Sequence, residues 1–194
     1  MPVADNGATA RLFFALWPDE ALRSRLAETA RAFKDTARGN WVKPANLHLT
    51  LAFLGDIEAE RWPELSRIAA DTQAPEFTLR LDRFEFWPRN GIVCLAPSRV
   101  PRALGELAAG LANRLGEAGL LRETRPYRAH LTLARQGRCA HRALSLAEPV
   151  TWSIRTFCLV ESRLGKEGPS YLPWATWPLH ALASGASSED TGLV

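Results

Sequence analysis

The pentapeptide HLTLA occurs twice in this chain, at His48–Ala52 and at His130–Ala134, 82 residues apart (48 to 130). The 194-residue sequence holds only four histidines, so two copies of one string built on that rare residue signal an internal duplication. In an extended strand, side chains alternate between faces with a period of two. His48 and Thr50 therefore share a face, as do His130 and Thr132, and the leucines take the other. Each strand offers an imidazole and a hydroxyl about 6.5–7 Å apart along the chain. Where the two copies meet across a groove, two imidazoles flank one point with two hydroxyls beside them.

Cleaving a phosphodiester without a metal calls for that set. A base takes the proton from the attacking oxygen, an acid on the opposite side protonates the leaving oxygen, and donors hold the non-bridging oxygens. Imidazole titrates near neutral pH and suits the first two tasks. Thr50 and Thr132 suit the third, and Arg135, five residues after His130, adds a cation. The symmetry of the repeat leaves open which histidine is acid and which is base. An isolated strand histidine is more often structural; the repetition argues for chemistry here. His141 and His180 lack the motif and read as surface or packing residues. Zinc needs a third protein ligand, and no cysteine or carboxylate lies at ligand spacing; Asp56 is eight residues beyond His48, at a turn. No metal and no cofactor is expected.

The elements that must carry these residues follow from periodicity. Arg11–Trp17 reads as a first strand. A helix over 19–35 follows, with Leu22, Leu26, Ala30 and Phe33 at helical spacing. Leu47–Leu54 is a strand closed by Gly55-Asp56, then a helix spans 58–72. Phe77–Trp87 and Ile92–Ala96 form a hairpin around the turn Pro88–Gly91, and Pro101 opens a third helix. Ala129–Arg135, Val150–Ser162 and Tyr171–Leu179 are the late strands, the last two joined by a loop at Gly165–Pro169. Interspersed strands and helices with an antiparallel hairpin predict an α+β fold. The duplication divides it into two pseudo-symmetric lobes of antiparallel sheet with flanking helices and an active groove between them. Residues 10–180 form one bilobal domain, and residues 1–9 and 183–194 read as flexible tails.

Composition is ordinary for a globular protein, at 46% hydrophobic and 23% charged. Six arginines, at 122, 125, 128, 135, 138 and 142, stand together with only Glu123 opposing them, which suits a phosphate-bearing ligand. Cys94, Cys139 and Cys158 form no CxxC and read as reduced thiols, Cys94 and Cys158 buried in strands. No apolar run is long enough to cross a bilayer, and the start lacks a basic leader; a cytoplasmic monomer without membrane contact is expected. Trp41, Phe53, Trp87 and Tyr127 are candidates for stacking on a base.

The paired H-x-T-x tetrads resemble the 2H phosphoesterase superfamily. Within it, RLFFALWP, PANLHLTLAFLG, FEFWPRNGIVCLAP and RPYRAHLTLAR are similar to the RNA 2′,3′-cyclic phosphodiesterases, also called 2′-5′ RNA ligases. The likeness runs from about Arg11 to Trp177. Ala129 departs from the proline that many members carry there, which implies only a small local backbone effect. The resemblance implies that His48 is the proton donor and His130 the proton acceptor, that Thr50 and Thr132 hydrogen-bond the phosphate, and that RNA or nucleotides with 2′,3′-cyclic phosphate ends are opened to 2′-phosphomonoesters. The same site run backwards joins ends through a 2′-5′ bond. Two other readings are a phosphodiesterase for another 2′-linked nucleotide and a non-catalytic RNA-binding module on the same fold.

Overall fold

The apolar run after Arg11 folds as strand β1 (Thr9–Leu16), with Leu12 through Leu16 all buried. Asp19 caps helix α1 (Glu20–Ala32) by accepting the Leu22 N–H at 2.8 Å, and Leu22 and Leu26 turn inward. There follow β2 (Ala37–Trp41), β3 (Leu49–Glu58), α2 (Trp62–Asp71), β4 (Phe77–Trp87), β5 (Ile92–Ala96), α3 (Arg102–Glu117), β6 (Leu131–Cys139), β7 (Ala143–Ile154), β8 (Thr156–Gly165) and β9 (Gly168–Pro178). This computed structural model describes residues 8–122, 125–166 and 168–181. Of the expected tails only Ala8 and Thr9 are described. Thr9 begins β1, and the Ala8 carbonyl accepts the Ala59 N–H at 2.9 Å; the rest, like Glu123, lies outside the described residues.

The strands form one antiparallel sheet in the order β7-β4-β5-β6-β3-β1-β8-β9, with β2 added on β6. The order reads as two four-stranded halves meeting at β6 and β3, whose shared ladder is a single position, Leu49 opposite Leu131. Beyond it, the same edge of β6 is taken by β2, where Trp41 faces Ala134 and Ala37 faces Cys139. The repeat leucines 49, 51, 131 and 133 are buried in one core with Leu65, Ile68, Leu104, Leu107 and Leu111 of the helices. The helices therefore cover the leucine face, and the histidine–threonine face is left open. Truncating a fully buried leucine such as Leu131 to Ala costs about 2–5 kcal/mol, so both repeats are held firmly in place.

Several expected boundaries move; the loop expected at Gly165–Pro169, for one, is paired strand, with β9 starting at Gly168 opposite Gly165. The chain does not stop at Gly55-Asp56: β3 runs on to Glu58, with Gly55 at φ 78°, and α2 starts only at Trp62. The single strand expected over Val150–Ser162 is two. β7 pairs with β4 and β8 with β1, so the chain passes from one half of the sheet to the other at Arg155. Nothing in Ser153-Ile154-Arg155-Thr156 breaks extended backbone, so no sequence signal marks the crossing. β2, an edge strand with Arg38, Gly39 and Asn40 exposed between Ala37 and Trp41, has no apolar alternation to announce it.

Candidate active site

The register at the β3–β6 junction brings the two repeats together. With Leu49 opposite Leu131, one step to either side sets His48 across from Thr132 and Thr50 across from His130. The four residues make a crossed square on the open face, and the axis relating the two copies passes through the leucine pair. Among the described residues neither threonine hydroxyl has a protein partner.

Both repeats then break alternation at the same letter. On β6, Cys94 faces Thr132 but Val93 faces Ala134, so Leu133 is an extra residue against β5. On β3, Ala15 faces Thr50 but Phe14 faces Ala52, so Leu51 is the extra residue against β1. A bulge of this kind flips the face of everything beyond it. Strict alternation would send Arg135 to the core side with Leu131 and Leu133. The bulge returns it to the face of His130 and Thr132, where it is exposed and lines the groove. Phe53 is its counterpart in the first repeat. One copy thus presents a guanidinium and the other an aromatic ring.

Each imidazole is locked by its own chain. His48 Nδ1 lies 2.7 Å from the Asn46 carbonyl and His130 Nδ1 2.8 Å from the Arg128 carbonyl. A carbonyl only accepts, so both rings carry hydrogen on Nδ1 and leave Nε2 outside that bond. The two acceptor residues are themselves anchored. Asn46 is buried and its Nδ2 donates to the Pro169 carbonyl at 2.7 Å. The Arg128 guanidinium lies 4.0 Å over the Trp87 ring and donates to Glu85 Oε2 at 2.5 Å; that oxygen also accepts the Trp87 indole N–H at 2.8 Å. Trp87 stands 4.5 Å from the His130 ring. His48 sits among Phe13, Trp17 and Tyr171, with ring centroids 4.9, 5.6 and 5.0 Å away.

These surroundings disfavour imidazolium. Burial lowers His48 to about 4, assisted by Arg135 and His130 and opposed by the bond to Asn46. His130 is also lowered, first by burial and further by Arg135 and Arg128, against the bond to the Arg128 carbonyl and the Glu85 carboxylate. Arg135 acts on both rings, so the three groups lie within electrostatic reach of one another. Without an anion between them, both histidines are neutral at pH 7; an anionic phosphate raises both and supplies the conditions under which one holds a proton.

A cavity of about 1080 Å³ opens on the His130 side, with Thr50, Phe53, Trp87, Tyr127 and Arg135 among its walls. Of the four stacking candidates, Trp41 is not in that lining; Lys34 lies 6.0 Å over its ring. His141 and His180 are exposed and do not line the cavity. Cys94 and Cys158 are buried in β5 and β8, as expected. Among the described residues no group of three His, Cys, Asp or Glu side chains is placed to hold a metal ion. Sequence reasoning missed Asn46, Arg128 and Glu85 as supports. The first two share one signal, a position two residues before each histidine; Glu85 shows as the lone carboxylate in Phe84–Trp87.

The family described as LigT-like phosphoesterase matches this chain twice, over residues 16–94 and again over 95–171, one match to each copy of the repeat. The chain belongs to the LigT-like phosphoesterase family. Among curated relatives of this family member is an RNA 2′,3′-cyclic phosphodiesterase of Escherichia coli (strain K12), 34% identical over 172 residues, covering 87% of this chain and 96% of the relative. Another, of Thermus thermophilus, bears the same name at 32% identity, with 83% and 86% covered. The crystal structure of E. coli LigT complexed with 3′-AMP superposes with a TM-score of 0.81 at 31% identity, over 89% of this chain and 99% of that one. The α+β architecture of this LigT-like phosphoesterase is the architecture of those structures, and among the described residues no helix is long and apolar enough to cross a membrane.

Proposed function

We propose that this chain hydrolyses 2′,3′-cyclic phosphate ends of RNA to 2′-phosphomonoesters by two-histidine acid–base catalysis. The observation that carries the proposal is the Leu49–Leu131 register, which sets two Nδ1-locked imidazoles and two hydroxyls side by side on one face of the sheet. Family membership and the names of the relatives support the same substrate class. His130 Nε2 accepts a proton from water as its oxygen attacks phosphorus. The bond to the 3′ oxygen breaks opposite, and His48 gives that oxygen a proton, leaving a 3′-hydroxyl and a 2′-phosphate. Thr50, Thr132 and Arg135 hold the non-bridging oxygens, where charge grows in the transition state. A 5′-hydroxyl attacking in place of water would open the same ring to a 2′-5′ diester and a 3′-hydroxyl; abundant water favours hydrolysis. Every group invoked comes from one copy of residues 10–180, which work as one domain and as a monomer.

The test is turnover of a 2′,3′-cyclic mononucleotide in EDTA, with the product isomer identified. His48→Ala and His130→Ala each lower kcat by about 10²–10⁴, and the double variant loses little more than either because the pair acts as a unit. Near wild-type kcat in either folded single variant removes that histidine from the chemistry.

A further inference from the structure

The groove is larger than its reaction needs. Small-molecule pockets run from roughly 300 to 1,000 Å³, and this one reaches about 1080 Å³. From His130, Thr50 and Arg135 it extends across β5 and β4 to Arg89, in the turn joining those strands, and to Arg142, just before β7. The Arg142 carbonyl accepts the Phe86 N–H at 2.9 Å, which fixes that residue beside β4. From β6 to β7 is three strand spacings, about 14 Å along the sheet. That exceeds what the phosphate of one nucleotide bridges. Five arginines line the cavity against one carboxylate, Glu85. Glu85 is already engaged by Arg128 and Trp87. The exposed guanidinium groups of Arg89 and Arg142 pair with no described residue. Between them and His130 the wall is apolar, formed by Phe86, Trp87, Pro88 and Ile92.

Resting on the function proposed above, we infer that Arg89 and Arg142 form a subsite for phosphodiesters upstream of the cyclic end, so that an RNA strand of two or three nucleotides is a better substrate than a mononucleotide. The cyclic phosphate lies between the histidines. The strand leads away in its 5′ direction across β5 and β4, its bases against the apolar wall and its phosphates toward the two arginines. The groups that read the chain are separate from those that touch the reacting phosphorus.

The experiment compares kcat/KM for a 2′,3′-cyclic mononucleotide with that for di-, tri- and hexanucleotides ending in the same cyclic phosphate, over a range of salt. Each phosphate contact on a single strand adds a slope of about −0.7 in log affinity against log salt. Two contacts give a slope steeper by roughly 1.4 for the trinucleotide than for the mononucleotide, so going from about 50 to about 200 mM salt costs the trinucleotide about sevenfold more. kcat/KM rises from mono- to trinucleotide and is flat from there to the hexanucleotide. Arg89→Ala/Arg142→Ala abolishes that rise and the extra slope, and its effect is confined to the longer substrates. Equal kcat/KM and equal salt slope at every length overturn the subsite and leave the cyclic phosphodiesterase intact, as does a double variant that lowers mono- and trinucleotide alike. Absence of turnover on every substrate overturns the function itself. An unchanged thermal midpoint of the double variant excludes misfolding as the cause.

Discussion

Arg135 offers a severe test because one side chain is assigned two measurable effects. Replacing it with glutamine keeps a hydrogen-bonding group of moderate length and removes the charge. The residue is exposed, so the change in folding stability stays within about 0.5 kcal/mol. The rate effect follows from its place on the groove face beyond the Leu133 bulge. Losing one preorganised donor to the developing charge costs about 10²–10³ in rate, near 2.7–4 kcal/mol. The second effect has a fixed sign. The guanidinium opposes imidazolium formation at both His48 and His130; without it both rings bind protons more readily and titrate at higher pH. A site needing one protonated and one neutral ring gives a bell-shaped kcat/KM profile set by the unliganded enzyme. In the wild type both rings titrate below the ordinary histidine value of 6.5, so the alkaline limb begins below that pH and falls about tenfold per unit. In Arg135→Gln both limbs move to higher pH. Arg135→Lys keeps them in place with a smaller loss of rate, because charge survives and the planar fork does not. The assay is kcat/KM on a cyclic mononucleotide from pH 4.5 to 8.5 with chemistry rate-limiting. A loss of under about threefold, or limbs that stay put in Arg135→Gln, refutes the placement of this residue at the phosphate.

Further predictions concern the supports and the fold. Glu85→Gln keeps an acceptor for the Trp87 indole but removes the charge that raises His130. The limb of the profile belonging to His130 moves to lower pH and the other stays; a shift of both limbs contradicts the assignment of Glu85 to one ring. His48 is neutral when folded down to about pH 4, against 6.5 in the unfolded chain. The unfolded state therefore takes up a proton first as pH falls. This costs the folded state roughly 3 kcal/mol, fully absent above pH 6.5 and fully developed near pH 4. Urea unfolding of His48→Gln at pH 7 and 4.5 shows a smaller acid loss than the wild type; an identical loss rules out His48 as the source.

The candidate site was legible because it is written twice. HLTLA names both histidines and both threonines, and strand alternation alone puts them on one face opposite the leucines. The three helices were readable from leucine spacing, and β4 and β5 from their turn at Pro88–Gly91. What escaped depends on partners distant in sequence. A bulge is a mismatch of count between two strands, so Leu51 and Leu133 look like any other leucine until β1 and β5 are laid beside them. Arg135 was picked for its charge; its face depends on that mismatch. β2 is held by pairing with β6 and not by an apolar pattern of its own. Glu85 supports His130 through Arg128, 43 residues further along.

The passage of the chain at Arg155 sets an order on biosynthesis. β1 emerges first from the ribosome, yet its outer neighbour, β8, is among the last strands made. Until then the edge carrying Phe13 and Ala15 has no outer partner and is a template for pairing with another nascent chain. The two duplicated units are therefore not two autonomous pieces. A cut between residues 94 and 95 falls inside β5 and leaves the amino-terminal fragment without β8 and β9. Ancestral single-copy reconstructions must supply those closing strands from a second molecule.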